Sequence, residues 1–214
     1  MNDKLQISLS GITLANPIIP ASGTYGFGDE FAELYDINCL GGISFKGTTR
    51  EARYGNPLPR IAECGNYGMI NAVGLQNPGV EHVIAHELPR LKSHYNGCIV
   101  ANVSGFSVQD YVETCAMLDK EPIDILEVNI SCPNVVGLTA LQDISFLSEI
   151  VDKLLDLRMY YDNYKPILLK VSPDLSHQQL DEIIDYCLRS GIDGLVAGNT
   201  TRSREGLTIP QSKI

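Results

Sequence analysis

The 214-residue chain contains no tryptophan, and its 16 Lys and Arg residues are outnumbered by 26 Asp and Glu, leaving a net charge of −10. That acidic balance argues against nucleic acid or an anionic membrane as default partner, because both would be repelled. No apolar run approaches the roughly 18–20 residues that span a bilayer. Met1 to Ser10 also lacks the basic-then-apolar layout of a secretory leader. Membrane and secreted classes are therefore not expected. The six cysteines (Cys39, Cys64, Cys98, Cys115, Cys132 and Cys187) include no two within four positions of each other. A zinc finger or thioredoxin-type pair thus has no support. Spread through apolar segments, they read as reduced thiols of a cytoplasmic protein, most of them small core residues. No repeat, linker or low-complexity segment divides the chain, so residues 1–214 are expected to form a single domain.

What is present is a rhythm of short apolar runs and helical segments. The runs Pro17–Gly23, Gly41–Gly47, Cys98–Val103, Ile125–Ile130, Pro166–Val171 and Gly194–Gly198 read as strands. Helices are expected over 29–37, 79–92, 107–119, about 143–160 and 178–189, and Thr48–Pro78 reads as a long irregular stretch. This alternation predicts βαβ units around a parallel sheet. A doubly wound dinucleotide fold would carry G-x-G-x-x-G after its first strand, and Ser22–Gly28 does not match that spacing. A (β/α)8 TIM barrel instead gathers polar groups at the C-terminal ends of its strands. Ser22, Lys46, Asn102, Asn129, Lys170 and Asn199 close the expected strands in turn, which favours the barrel. A complete barrel takes about 250 residues and eight strands, so only about six of its βα units are expected here and the barrel domain is incomplete at the C-terminus.

Some of these residues have chemistry to offer. Cys132 follows an apolar strand in the turn Asn129-Ile-Ser-Cys-Pro-Asn134; a thiol there suits a nucleophile or general base, although a packing role accounts for it about as well. Lys46 and Lys170 end apolar strands, where an ammonium group calls for an anion such as phosphate, carboxylate or a reduced flavin ring, unless it snorkels to water. Asn71, Asn102, Asn129, Asn134 and Asn199 offer paired donors and acceptors that match the edge of a pyrimidine or flavin, while single Asn residues more often only form turns. His82 and His86 have i,i+4 spacing but no H-E-x-x-H pattern, and no metal site is expected.

The motifs Asn16–Gly28, Lys46-Gly-Thr-Thr49, Gly55-Asn-Pro-Leu-Pro-Arg60, Asn71–Gly79 and Asn129–Asn134 are long and specific. With them the chain resembles dihydroorotate dehydrogenase of class 1, most of all the class 1B NAD-linked catalytic subunit, over essentially its whole length. The resemblance implies an FMN-binding barrel that oxidises dihydroorotate to orotate in pyrimidine biosynthesis. It implies that Cys132 removes the C5 proton while hydride passes from C6 to flavin N5. Asn71, Ala72, Val73, Gly74, Leu75, Asn129, Asn199 and Thr200 would hold the pyrimidine, and Lys46 would touch both substrate and flavin. Ser22, Gly47, Asn102, Asn129, Lys170 and Gly198 would line the FMN, with Lys170 favouring the anionic reduced ring.

Three segments, Val135–Gln142, Lys170–Ser176 and Gly198–Leu207, look closer to the quinone-linked class 2, which leaves the electron acceptor open between NAD, fumarate and quinone. A class 1B chain would work with a partner subunit carrying FAD and a 2Fe-2S cluster, as a homodimer or within a heterotetramer. The alternatives are a dihydropyrimidine dehydrogenase-like flavin enzyme acting on dihydrouracil, and a non-catalytic barrel fragment.

Overall fold

The computed structural model describes residues 4–64, 68–131, 144–159 and 164–205. The chain opens with an antiparallel hairpin, β1 (Ile7–Leu9) and β2 (Ile12–Leu14), turning through Ser10 and Gly11, both at positive φ. The first strand expected from the sequence, 17–23, forms no ladder. Pro17 and Pro20 have no N–H to donate, and the segment is tied through Ile18, whose carbonyl accepts from Gly41 N and Gly42 N, and through Ser22, whose hydroxyl donates to the Phe45 carbonyl at 2.7 Å. Ile19 nevertheless packs inward as a strand residue would. The helix expected over 29–37 is instead two short 3-10 helices, Asp29–Glu33 and Ile37–Cys39, the second capped by the Asp36 side chain.

After β3 (Gly42–Ser44), the stretch read as irregular contains a second antiparallel hairpin, β4 (Ile61–Glu63) with β5 (Met69–Asn71). A continuous helical run then comprises α1 (Val80–His82), a π-helical turn (Val83–Glu87) and α2 (Leu88–His94). Strands and helices alternate from there: β6 (Cys98–Val103), α3 (Val108–Leu118), β7 (Ile125–Asn129), α4 (Ile144–Arg158), β8 (Ile167–Val171), α5 (His177–Ser190) and β9 (Gly194–Ala197). Side-chain caps start two of these helices: Ser107 accepts from Asp110 N, and Ser176 forms a reciprocal capping box with Gln179.

β3, β6, β7, β8 and β9 pair in sequence order as one parallel sheet, the arc of a barrel. Two aspartates close the N-terminal edge of that sheet. Asp124, entering β7, accepts the Ile99 N–H at 2.8 Å, and Asp193, entering β9, accepts the Ile167 N–H at 2.8 Å.

Because successive side chains on a strand point to opposite faces, the sheet has two distinct sides. Ile43, Phe45, Ile99, Ala101, Val103, Leu126, Val128, Ile167, Leu169 and Val171 face the helices and form the main core. The opposite, inner face begins with Cys98, Val100, Ile125 and Leu168 at the N-terminal end, sealed by Leu14 from the opening hairpin with Leu9 and Ile12 beside it. Further up, the same inner face carries Ser44, Asn102, Glu127 and Lys170, all buried. The interior therefore changes from apolar floor to polar top within a few residues of each strand.

Leu14 is 1% exposed and carries the floor. Leu14→Ala is expected to lower stability by about 2–5 kcal/mol, measured by urea unfolding; a loss below about 1 kcal/mol would contradict a sealing role for the hairpin.

Candidate functional site

The polar rung is organised around one carboxylate. Glu127, from the central strand β7, lies between residues of three other strands. Its Oε2 accepts from Ser44 Oγ at 2.9 Å, and its Oε1 accepts from Asn102 Nδ2 at 2.6 Å and stands 3.4 Å from Lys170 Nζ. Burial of an unpaired charge would be prohibitive, and this pairing satisfies both carboxylate oxygens. The anion that the sequence demanded for Lys170 is thus partly supplied by the protein itself. Asn102 Oδ1, on the far side of the same amide, is buried with no protein partner among the described residues.

Above this rung the strand ends open into a cleft of about 430 Å³, within the size range of small-molecule sites. Its walls bring together Ser22, Lys46, Gly47, Asn71, Val73, Gly74, Leu75, Asn129, Lys170, Asn199 and Thr200, all singled out from sequence. Lys46 and Lys170 are its charged lining residues; no carboxylate among the described residues lines it. A chain of net charge −10 therefore presents a cationic recess, suited to an anionic ligand.

Three further singled-out residues are described but do not line the cleft. Asn102 lies beneath it, behind Gly47: a Cβ on Gly47 would stand 2.9 Å from Asn102 Oδ1, so only glycine leaves that acceptor uncovered. Ala72 is exposed, its N–H bonded to the Arg60 carbonyl, and Gly198 follows β9 beside Val171 and Pro173. Cys132 and Asn134 lie outside the described residues. The sequence reading passed over Gly23, Thr24, Ile61 and Met69, which also line the cleft, the last two from the undetected β4–β5 hairpin. It also passed over Glu127, although an acid within Ile-Leu-Glu-Val-Asn is an anomaly that period-2 counting would have placed on the inner face.

The amides of the cleft are locked by their neighbours. Ser131 donates to Asn129 Oδ1 from both its N–H (3.1 Å) and its hydroxyl (2.7 Å), which turns the Asn129 Nδ2 group outward as the available donor. Asn199 Nδ2 donates to Ser131 Oγ at 2.8 Å, and its Oδ1 accepts from Thr200 N at 2.8 Å. Opposite, the 71–79 loop is held by Asn77, which accepts from Thr49 N and Gly79 N and donates to Thr49 Oγ1 and the Leu75 carbonyl. Leu75 lines the cleft at φ +58°, a left-handed backbone that costs a side-chain-bearing residue roughly 1–2 kcal/mol and marks a position where geometry is fixed by its surroundings.

None of the described thiols lines the cleft. Cys64, Cys98 and Cys115 are buried, Cys187 is half-buried and Cys39 is exposed. Burial pushes the Cys98 thiol up to about 12 and raises Cys115 as well, so neither supplies a thiolate.

The loop carrying Thr200 is pinned by Asp174, which accepts from Thr201 Oγ1 at 2.5 Å and Arg202 N at 2.8 Å. These hydrogen bonds, the Thr201 hydroxyl first, hold its carboxyl below the usual range. A lowered folded value means the pinning is fully present above the ordinary carboxylate range and is lost as pH falls through that lowered value. The Thr201 and Arg202 amide resonances should therefore titrate with a midpoint below the ordinary Asp value of about 3.9; a midpoint at or above it would contradict the pinning.

Comparison with known proteins places the chain in a family. The sequence profile described as Dihydroorotate dehydrogenase matches residues 4–214. The dihydroorotate dehydrogenase B (NAD(+)) catalytic subunits of Exiguobacterium sibiricum and Enterococcus faecalis are 44% and 42% identical over 92% and 94% of this chain. The chain spans 62% of the length of either relative. The ligand-free dihydroorotate dehydrogenase crystal structure from Eimeria tenella superposes with a TM-score of 0.81 at 24% identity, covering 99% of this chain and 66% of that one; it supports the fold. On these grounds the chain belongs to the dihydroorotate dehydrogenase family.

Proposed function

We propose that this chain carries the FMN and pyrimidine site of an enzyme that oxidises dihydroorotate to orotate, in the soluble NAD-linked manner of its named relatives. The observation that carries the reading is the cationic, amide-lined cleft at the C-terminal strand ends, built from the segments that match the family. The residues present fit a flavin: Lys170 and Lys46 supply positive charge, Asn102 Oδ1 is an unfilled buried acceptor, and Gly47 leaves the approach to it bare. FMN bound there would supply the hydride acceptor for C6 of the substrate.

The chain's own residues do the remainder. Cys132, which lies outside the described residues, takes the proton from C5. That proton is weakly acidic, and a base earns its effect there by standing close and shielded from water. Asn129 donates through the Nδ2 that Ser131 leaves free, and Asn71 and Asn199 supply further amide contacts to the pyrimidine edge. Val73, Gly74, Leu75 and Thr200 complete the wall around the ring, Leu75 on its constrained backbone. Lys46 reaches substrate and flavin together, and Ser22 and Gly198 complete the flavin's surroundings. The Lys46 ammonium group favours dihydroorotate, which bears a carboxylate, over the neutral dihydrouracil.

Electrons would leave through a partner subunit carrying FAD and a 2Fe-2S cluster, the chain working as a homodimer or within a heterotetramer. Among the described residues no helix is long and apolar enough to cross a membrane.

Cys132→Ala is expected to leave FMN bound while slowing its reduction by dihydroorotate more than about a hundredfold, within the usual range for losing a general base. Stopped-flow reduction without oxygen measures this, and an ordinary rate in the variant would end the assignment of the base. Cys132→Ser should retain a fraction of the activity.

A further inference from the structure

The floor of the cleft rests on a carboxylate that no bound ligand would reach. Glu127 is 4% exposed and does not line the cleft. Yet it holds two groups assigned to the flavin: Lys170 Nζ lies 3.4 Å from Oε1, and the same oxygen accepts from Asn102 Nδ2 at 2.6 Å. We propose that Glu127 is a positioning and charge-balancing residue that limits the preference of the cleft for the reduced, anionic flavin over the oxidised one. This inference rests on the FMN reading above.

The argument is electrostatic. A carboxylate behind an ammonium group cancels much of its field on the opposite side, and the cancellation is strong where water is excluded. Lys170 is 3% exposed and Glu127 has both oxygens engaged, so the pair is dry and fixed. The oxidised isoalloxazine ring is neutral and the reduced ring carries negative charge. Removal of the carboxylate with retention of its shape would leave the full Lys170 charge facing the cleft, which strengthens binding of the anion and not of the neutral ring. The FMN phosphate is common to both forms and drops out of the ratio of their affinities. Glu127 also decides which way the Asn102 amide faces. With Nδ2 committed to the carboxylate, Oδ1 is the atom directed toward Gly47.

The test is the ratio of affinities for dithionite-reduced and oxidised FMN, titrated anaerobically into the full chain. Glu127→Gln should raise the preference for reduced FMN at least about tenfold over wild type. Ser44→Ala, which removes the 2.9 Å contact to the same carboxylate but no charge, should leave the ratio within about twofold. Glu127→Asp keeps the charge but withdraws it by one methylene; it should give a smaller rise of about threefold and carries the test if the Gln variant does not fold. A purely structural role would weaken both oxidation states alike, so an unchanged or lowered ratio overturns the inference while FMN binding by wild type still stands. A wild-type chain that binds neither form overturns the flavin reading, and this inference with it.

Discussion

A carboxylate in a protein interior is tolerated only where its charge and both oxygens are met, and the upper half of this sheet is arranged around one. Glu127 requires β3, β6 and β8 to deliver Ser44, Asn102 and Lys170 to the inner face within reach of its carboxylate. A slip of one residue in any of these strands would turn the partner outward into the helix layer. The buried pairing therefore supports the register on which the cleft above it depends. Below, the Leu14 plug and the apolar starts of β6, β7 and β8 supply burial without direction. The polar rung supplies direction with little net stability, since buried ion pairs seldom exceed an apolar replacement.

The parallel sheet was legible because buried strands leave continuous apolar runs, and four of the six expected runs (98–103, 125–130, 166–171 and 194–198) coincide with β6 to β9 within a residue or two. The run at 41–47 is a strand only over Gly42–Ser44, since Lys46 N turns to the Gly26 carbonyl. The run at 17–23 looked alike in hydropathy, but two prolines remove the donors a ladder needs. The hairpin β4–β5 was illegible for a different reason. It is short, exposed and made of mixed residues, so neither alternation nor an apolar run announces it. The segment 29–37 shows the limit of helical periodicity: Tyr25 stacks on Phe31 with ring centroids 3.9 Å apart, and that tertiary contact accompanies tight 3-10 turns in place of one longer helix.

At the site, strand-end polarity was the informative signal. Lys46, Asn129, Lys170 and Asn199 meet in one cleft because a parallel arc directs every strand's C-terminal end the same way. What sequence could not give was the second layer. Asn77 bracing the Leu75 turn against Thr49, Ser131 joining Asn129 to Asn199, and Glu127 beneath Lys170 link segments distant in sequence. Asn77 and Ser131 are ordinary polar residues until their partners are known, and Glu127 is an acid in an apolar strand whose partners the sequence does not name.

The central claim is that this cleft holds a flavin that dihydroorotate reduces. The most direct measurement is the visible absorption spectrum of the purified chain reconstituted with FMN, recorded without oxygen before and after adding dihydroorotate, with dihydrouracil as the comparison. The account predicts a protein-bound yellow flavin that bleaches with dihydroorotate and keeps its colour with dihydrouracil. A chain that retains no flavin, or a bound flavin that dihydroorotate leaves oxidised, would contradict it.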